Sequence, residues 1–147
     1  MALLLAACAQ APRVEQPGAW SGRMALRVQD DAGASFSALF VLQGDPERGS
    51  LTLSTPLGTV LAALRWAPGQ AALQSPQGDR TADSLDALLA DALGSTIPVP
   101  ALFAWLRGEA ASAEGWEVDL GEIGSGRLAA VRQHPAPSAT LRIALDR

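Results

Sequence analysis

Leu51-Thr-Leu-Ser-Thr-Pro-Leu-Gly-Thr-Val-Leu-Ala-Ala-Leu64 reads as two apolar strands joined by a tight turn at Thr55-Pro56-Leu57-Gly58. Pro56 pre-sets φ for the first corner, and Gly58 relieves the strain of leaving it. Leu57 is out of character for this position. Turn tips face water and favour Asn, Asp or Gly, so a large aliphatic side chain there is expected to enter a core, a partner or a membrane.

The flanking segments extend the same pattern. Trp20 to Gln29 alternates, with Met24, Leu26 and Val28 on one face. After a turn at Asp30–Gly33, Ala34 to Gln43 carries Phe36, Ala38, Phe40 and Leu42 on one face, and Leu39 and Val41 make its other face partly apolar. Thr59 to Trp66 is likewise apolar on both sides. Short strands follow at Ala71 to Gln74 and Arg80 to Ala82, separated by Pro- and Gly-containing turns. This even spacing predicts an antiparallel meander.

The period then changes. Asp83 or Ser84 caps a helix in which Leu85, Leu88, Leu89, Ala92 and Leu93 recur at helical spacing, and Gly94 closes it. Ile97-Pro-Val-Pro100 interrupts, with Pro100 in the first turn of a second helix that carries Leu102, Phe103, Trp105 and Leu106 and ends at Gly108. Three further strands are predicted at Gly115 to Leu120, Arg127 to Arg132 and Ala139 to Leu145, with a hairpin loop at Gly121–Gly126. The expected class is mainly β (α+β): an antiparallel sheet with helices on one face.

The 147 residues suit one domain, and an apolar share of 48% argues against disorder. A net charge of −4 and a sequence without a run of basic residues argue against a nucleic-acid partner. Leu5-Ala6-Ala7-Cys8 resembles a lipobox, in which Cys8 becomes lipidated after cleavage. The segment has no Lys or Arg n-region and is short for a signal peptide, so the natural start is expected upstream or trimmed. Ala9 to Gly18 reads as a polar tether. The expected division is a lipoprotein signal remnant over 1–8, a tether over 9–19 and a folded domain over 20–147.

A catalytic site is not expected. His134 is the sole His and sits in an apparent turn, with no second His or Cys to complete a nucleophile–base pair. Asp30, Asp31, Asp83, Asp86 and Glu109 read as turn and capping residues. No cofactor and no metal site are expected, because no carboxylate or His run has ligand spacing. Gly121–Gly126 lacks the Lys and the strand–loop–helix context of a phosphate cradle. What the chain offers is apolar surface beyond the needs of one core. It fits either tight packing or a cavity between sheet and helices suited to an acyl chain, where each buried CH₂ is worth about 0.8 kcal/mol.

Taken in order, the lipobox Cys8, Trp20-Ser-Gly-Arg23, Phe40-Val-Leu-Gln43, Leu51 to Gly58, Leu85 to Gly94, Ile97-Pro-Val-Pro100, Leu102-Phe-Ala-Trp-Leu-Arg-Gly108 and Gly115-Trp116 resemble the LolB family. These are outer-membrane lipoproteins that receive other lipoproteins from the periplasmic carrier LolA. The resemblance covers nearly the whole chain. It implies an unclosed antiparallel β-barrel with a helical lid over an apolar cavity, and an outer-membrane, periplasm-facing location. The implied partners are a LolA-like carrier, lipoprotein acyl chains and the inner leaflet of the outer membrane, engaged by a monomer. Pro56, Leu57 and Gly58 match the membrane-inserting loop. The candidates for the acyl cavity are Met24, Leu26, Phe36, Phe40, Leu42, Leu51, Leu53, Leu64, Leu89, Leu102 and Trp105. Two departures touch that lining: Leu42 stands where the family often has Trp, and the loop at Glu109–Glu114 is short. Two other readings are a lipid-anchored scaffold without a cavity and a hydrolase using Ser54 or Ser84 with His134 as its base.

Overall fold

The computed structural model describes residues 19–93, 98–134 and 136–146. The alternating segments form β1 (Ala19–Val28), β2 (Asp31–Gly44), β3 (Gly49–Ser54), β4 (Val60–Ala67), β5 (Gln70–Gln74) and β6 (Arg80–Ala82). Helices α1 (Leu85–Leu93) and α2 (Val99–Leu106) follow, then β7 (Trp116–Asp119), β8 (Arg127–Arg132) and β9 (Ala139–Leu145). Among the described residues these nine strands make one antiparallel sheet in the order β6-β5-β4-β3-β2-β1-β9-β8-β7. Every neighbour pair but one is sequential. The exception joins the two ends of the chain, with β1 and β9 pairing from Gly22↔Leu145 to Val28↔Ala139. The sheet stays unclosed, with β6 and β7 as its edges, and both helices lie in the connection between those edges.

Period-2 alternation sends one side chain in two to the inner face. Met24, Phe40, Leu42, Leu51, Leu141 and their neighbours there are almost fully buried. The helices cover this face. The Ser84 hydroxyl accepts a hydrogen bond from the Ala87 N–H at 3.1 Å, which settles the α1 cap in favour of Ser84 over Asp83. Leu85, Leu88 and Leu89 face inward, and α1 packs on β5 and β6. The side chains of Ala92 and Leu93, together with Gly94 and Ile97, lie outside the described residues. In α2, Val99, Ala101, Leu102, Phe103, Trp105 and Leu106 are all buried. A helix apolar on most sides must be covered on most sides, and only Pro100 is exposed while Ala104 is half-buried. Phe103 is held edge-on between Trp20 (5.8 Å between ring centroids) and Trp66 (6.2 Å), while Trp105 donates its indole N–H to the Ala111 carbonyl at 3.0 Å.

One expectation changes. The turn between the first two strands is Gln29-Asp30 rather than Asp30–Gly33, and β2 starts at Asp31. Asp30 takes φ +59°, a left-handed conformation that Asp tolerates, so two residues suffice to reverse the chain. The outer face of β2 stays partly open to solvent, with Leu39 half-buried and Val41 41% exposed.

Arg132 is the exception on the inner face. It is buried, its guanidinium donates to the Pro137 carbonyl at 3.0 Å, and it lies 5.7 Å from the centre of the Trp116 ring. Its Nε has no partner.

Candidate acyl site at the β3–β4 hairpin

The turn between β3 and β4 is held by its own backbone. Gly58 N–H donates to the Thr55 carbonyl at 2.9 Å, Thr55 N–H to the Thr59 carbonyl at 2.9 Å, and Thr59 N–H to the Thr55 hydroxyl at 3.2 Å. Gly58 sits at φ +91°, a conformation that a side chain would strain. Leu57 takes no part in these bonds and is 95% exposed. The loop is therefore built without using its largest side chain.

Past the turn, the β3–β4 register slips. Leu53 pairs with Ala62 but Ser54 pairs with Val60, so Leu61 is the extra residue of a β-bulge. Leu61 thereby leaves the regular alternation and lines the mouth of a cavity. Val60 and Leu61 are 45% and 38% exposed, so three of the large exposed apolar side chains fall within residues 57–61.

That cavity, about 190 Å³, lies between β3, β4, β5 and α1. Leu51, Leu53, Leu64, Leu73 and Leu89 wall it, and Ser75, Gln77, Gly78 and Arg80 line it towards solvent. The volume falls short of the roughly 300–1,000 Å³ of a pocket for a drug-sized ligand. It suits a stretch of methylenes rather than a whole lipid.

Of the cavity candidates named from the sequence, Leu51, Leu53, Leu64 and Leu89 come together around this space. Met24, Leu26, Phe40, Leu42, Leu102 and Trp105 are buried in the continuous core of the same inner face, and Phe36 is half-buried against it. Cys8 lies outside the described residues. Sequence reasoning missed Leu73 and Leu61. The alternation of Ala71 and Leu73 in β5 was a usable signal for the first. Leu61 had none, because strict alternation assigns it to the outer face and only the bulge moves it.

His134 is exposed in the turn after β8. No group of His, Cys, Asp and Glu is arranged to hold a metal ion among the described residues, and no helix of the described residues is long and apolar enough to cross a membrane.

The family model described as outer membrane lipoprotein LolB matches residues 19–142. The outer-membrane lipoprotein LolB of Bordetella petrii is 32% identical over 97% of this chain and 87% of its own length. The protein of the same name from Cupriavidus taiwanensis is 35% identical over 90% of this chain and 69% of its own. That from Bordetella parapertussis is 36% identical over 74% of this chain and 60% of its own. The match takes in all but the last residues of the sheet, the helical cover and the hairpin with the exposed Leu57, and the chain belongs to the LolB family of outer-membrane lipoproteins.

Proposed function

We propose that this protein accepts lipoproteins from a LolA-like periplasmic carrier and inserts them into the outer membrane, holding part of an acyl chain in the cavity under α1. The observation that carries this reading is the 95% exposure of Leu57 at the tip of the hairpin whose strands wall the cavity. Leu57, Val60 and Leu61 make an apolar strip from the turn to the cavity mouth. A chain leaving the cavity along it stays in contact with apolar side chains until Leu57 meets the bilayer. Pro56 and Gly58 hold the turn that presents Leu57. On this reading the receptor is anchored through a lipid on Cys8, faces the periplasm and works as a monomer, since one hairpin supplies both cavity wall and finger.

The mechanism is a sequence of binding equilibria rather than catalysis. An acyl chain moves from carrier to receptor to bilayer when each site holds it more favourably than the last. At about 0.8 kcal/mol per buried CH₂, a small cavity binds a few methylenes and leaves the rest of the chain to gain more from the membrane. Limited volume thus favours release.

The test is transfer of an acylated cargo from carrier to liposomes by a Leu57→Glu variant. Loading from the carrier should persist while insertion into the bilayer is lost. Delivery at the wild-type rate would remove Leu57 from the mechanism. An absence of saturable fatty-acid displacement would favour the scaffold reading instead.

A further inference from the structure

The outer face of the sheet is not uniform. Register places Arg23, Ala144 and Arg127 in one row across β1, β9 and β8, and Ala25, Arg142 and Ala129 in the next. The result is a checkerboard in which Arg142 lies between Ala25 and Ala129, Arg127 faces Ala144, and Arg23 lies between Ala144 and the half-buried Leu39. Arg142 is the diagonal neighbour of both Arg23 and Arg127, a spacing of roughly 7–8 Å between positions. Together with Ser37 these residues line an open groove of about 500 Å³. Asp119 and Glu122 close it at the β7 side, where the Asp119 carboxylate already accepts the Gly121 N–H at 2.9 Å. Arg23, Arg127 and Arg142 are exposed and make no ion pair within 4.0 Å among the described residues. In a chain of net charge −4, three guanidinium groups with no ion pair among the described residues share one patch with two carboxylates, a local excess of positive charge.

We propose that this groove is a docking surface for the phosphate headgroups of an anionic phospholipid bilayer. Guanidinium is the side chain best matched to phosphate oxygens, and three of them on a sheet face can engage several headgroups at once. The floor decides between a membrane and a folded protein partner. Its accessible part is Ala25, Ala129, Ala144 and Ser37, because Met24, Leu128 and Ile143 of the lining are buried, and it holds no Trp or Tyr of the kind that anchors protein interfaces. A mobile layer of phosphates needs charge and access, not a complementary apolar pocket. The position fits as well. Arg23 is four residues beyond Ala19, where the sheet begins, and the ten residues from 9 to 18 span at most ~33–36 Å when extended. With the lipidation of Cys8 proposed above, this end of the sheet stays within reach of the headgroups. The surface would orient the receptor on its membrane through charge, independently of the apolar finger at Leu57.

The experiment uses the full chain carrying Cys8→Ala, so that no anchor contributes, and measures partition onto vesicles of phosphatidylglycerol mixed with phosphatidylcholine and onto phosphatidylcholine alone. Binding should be much stronger to the anionic vesicles than to phosphatidylcholine alone, and that excess should collapse near 1 M salt, where the screening length is only about 3 Å. Each of Arg23→Gln, Arg127→Gln and Arg142→Gln should lower the partition about fivefold, the ~1 kcal/mol that one Arg gains at an anionic surface. Combining the three should cost on the order of a hundredfold, while Arg48→Gln, in the turn before β3, changes it little. Leu57→Glu should lower partition onto both vesicle types, whereas the arginine variants act on the anionic ones alone. Because no cargo or carrier is present, the result is separate from that of the transfer assay. Unchanged partition of the triple variant overturns the proposal, as does an equal loss for Arg48→Gln or competition by inorganic phosphate strong enough to assign the groove to a free small anion.

Discussion

Gly49 faces Trp66 across the β3–β4 ladder so closely that a Cβ on it would lie 2.6 Å from the indole ring, and 2.5 Å from the Gln43 carbonyl oxygen of β2. The same indole donates its N–H to the Asp45 carbonyl at 2.9 Å and stands edge-on to Phe103 of α2. One missing side chain therefore lets a strand residue reach both the β2–β3 turn and the helical cover.

Gly49→Ala should displace the Trp66 ring and lower stability by about 1–3 kcal/mol, the usual cost of overpacking a filled site. A fall in the urea midpoint with a change in Trp fluorescence is the expected result. A midpoint equal to that of the native chain would show that both the ring and the β2 backbone at Gln43 give way freely.

Leu89 separates cavity volume from stability. Leu89→Ala removes a buried wall residue and should cost about 2–5 kcal/mol while enlarging the space for an acyl chain. Leu89→Trp should fill the cavity and weaken displacement of a fluorescent fatty acid, with a smaller stability loss than overpacking a solid core brings. Equal fatty-acid affinity in the two variants would place the acyl site elsewhere.

Leu61→Asp puts a charge at the mouth of the cavity. Its partial exposure keeps the expected stability change to about 0.5 kcal/mol. Acyl transfer from the cavity to liposomes should slow markedly, because the chain must pass a carboxylate between Leu89 and Leu57. The check is the rate of delivery set beside the denaturation midpoint of the same sample.

Asp45 caps the β2–β3 turn by accepting the Arg48 N–H at 2.9 Å and the Glu47 N–H at 2.8 Å. These bonds, the one from Arg48 first, hold its carboxyl below the ordinary value of 3.8. A lowered folded-state pKa contributes stability that is present above the unfolded value and lost as pH falls through the folded one. Asp45→Asn should therefore be less stable than the native chain at neutral pH, with the difference shrinking as acid protonates Asp45 below the 3.8 region. Denaturation midpoints across that range provide the measurement.

Local chemistry carried much of this fold. Period-2 alternation located the strands, the shift to helical spacing located α1, and the Pro-Leu-Gly turn with its protruding Leu57 was legible because turn tips rarely carry a large aliphatic residue. Ser84 against Asp83 as the cap was settled only by where the hydroxyl points.

Other features depend on residues distant in the chain. The β1–β9 pairing joins segments more than a hundred residues apart, and no local preference encodes it. It is also what gathers Arg23, Arg127 and Arg142, scattered through the sequence, into one checkerboard. The cavity lining followed the same logic. Leu51, Leu53, Leu64 and Leu89 could be named as apolar, but Phe40 and Trp105 are equally apolar and pack solidly. Which apolar residues enclose space is a property of how α1 rests on β5 and β6. Leu61 is the sharpest case, since a one-residue slip in the β3–β4 register reverses the face that alternation assigns. Alternation and turn chemistry make the hairpin apolar and put Leu57 at its tip, whatever the rest of the chain does. The bulge and the seating of α1 on distant strands, which no local pattern encodes, are what join that hairpin to a cavity through Leu61.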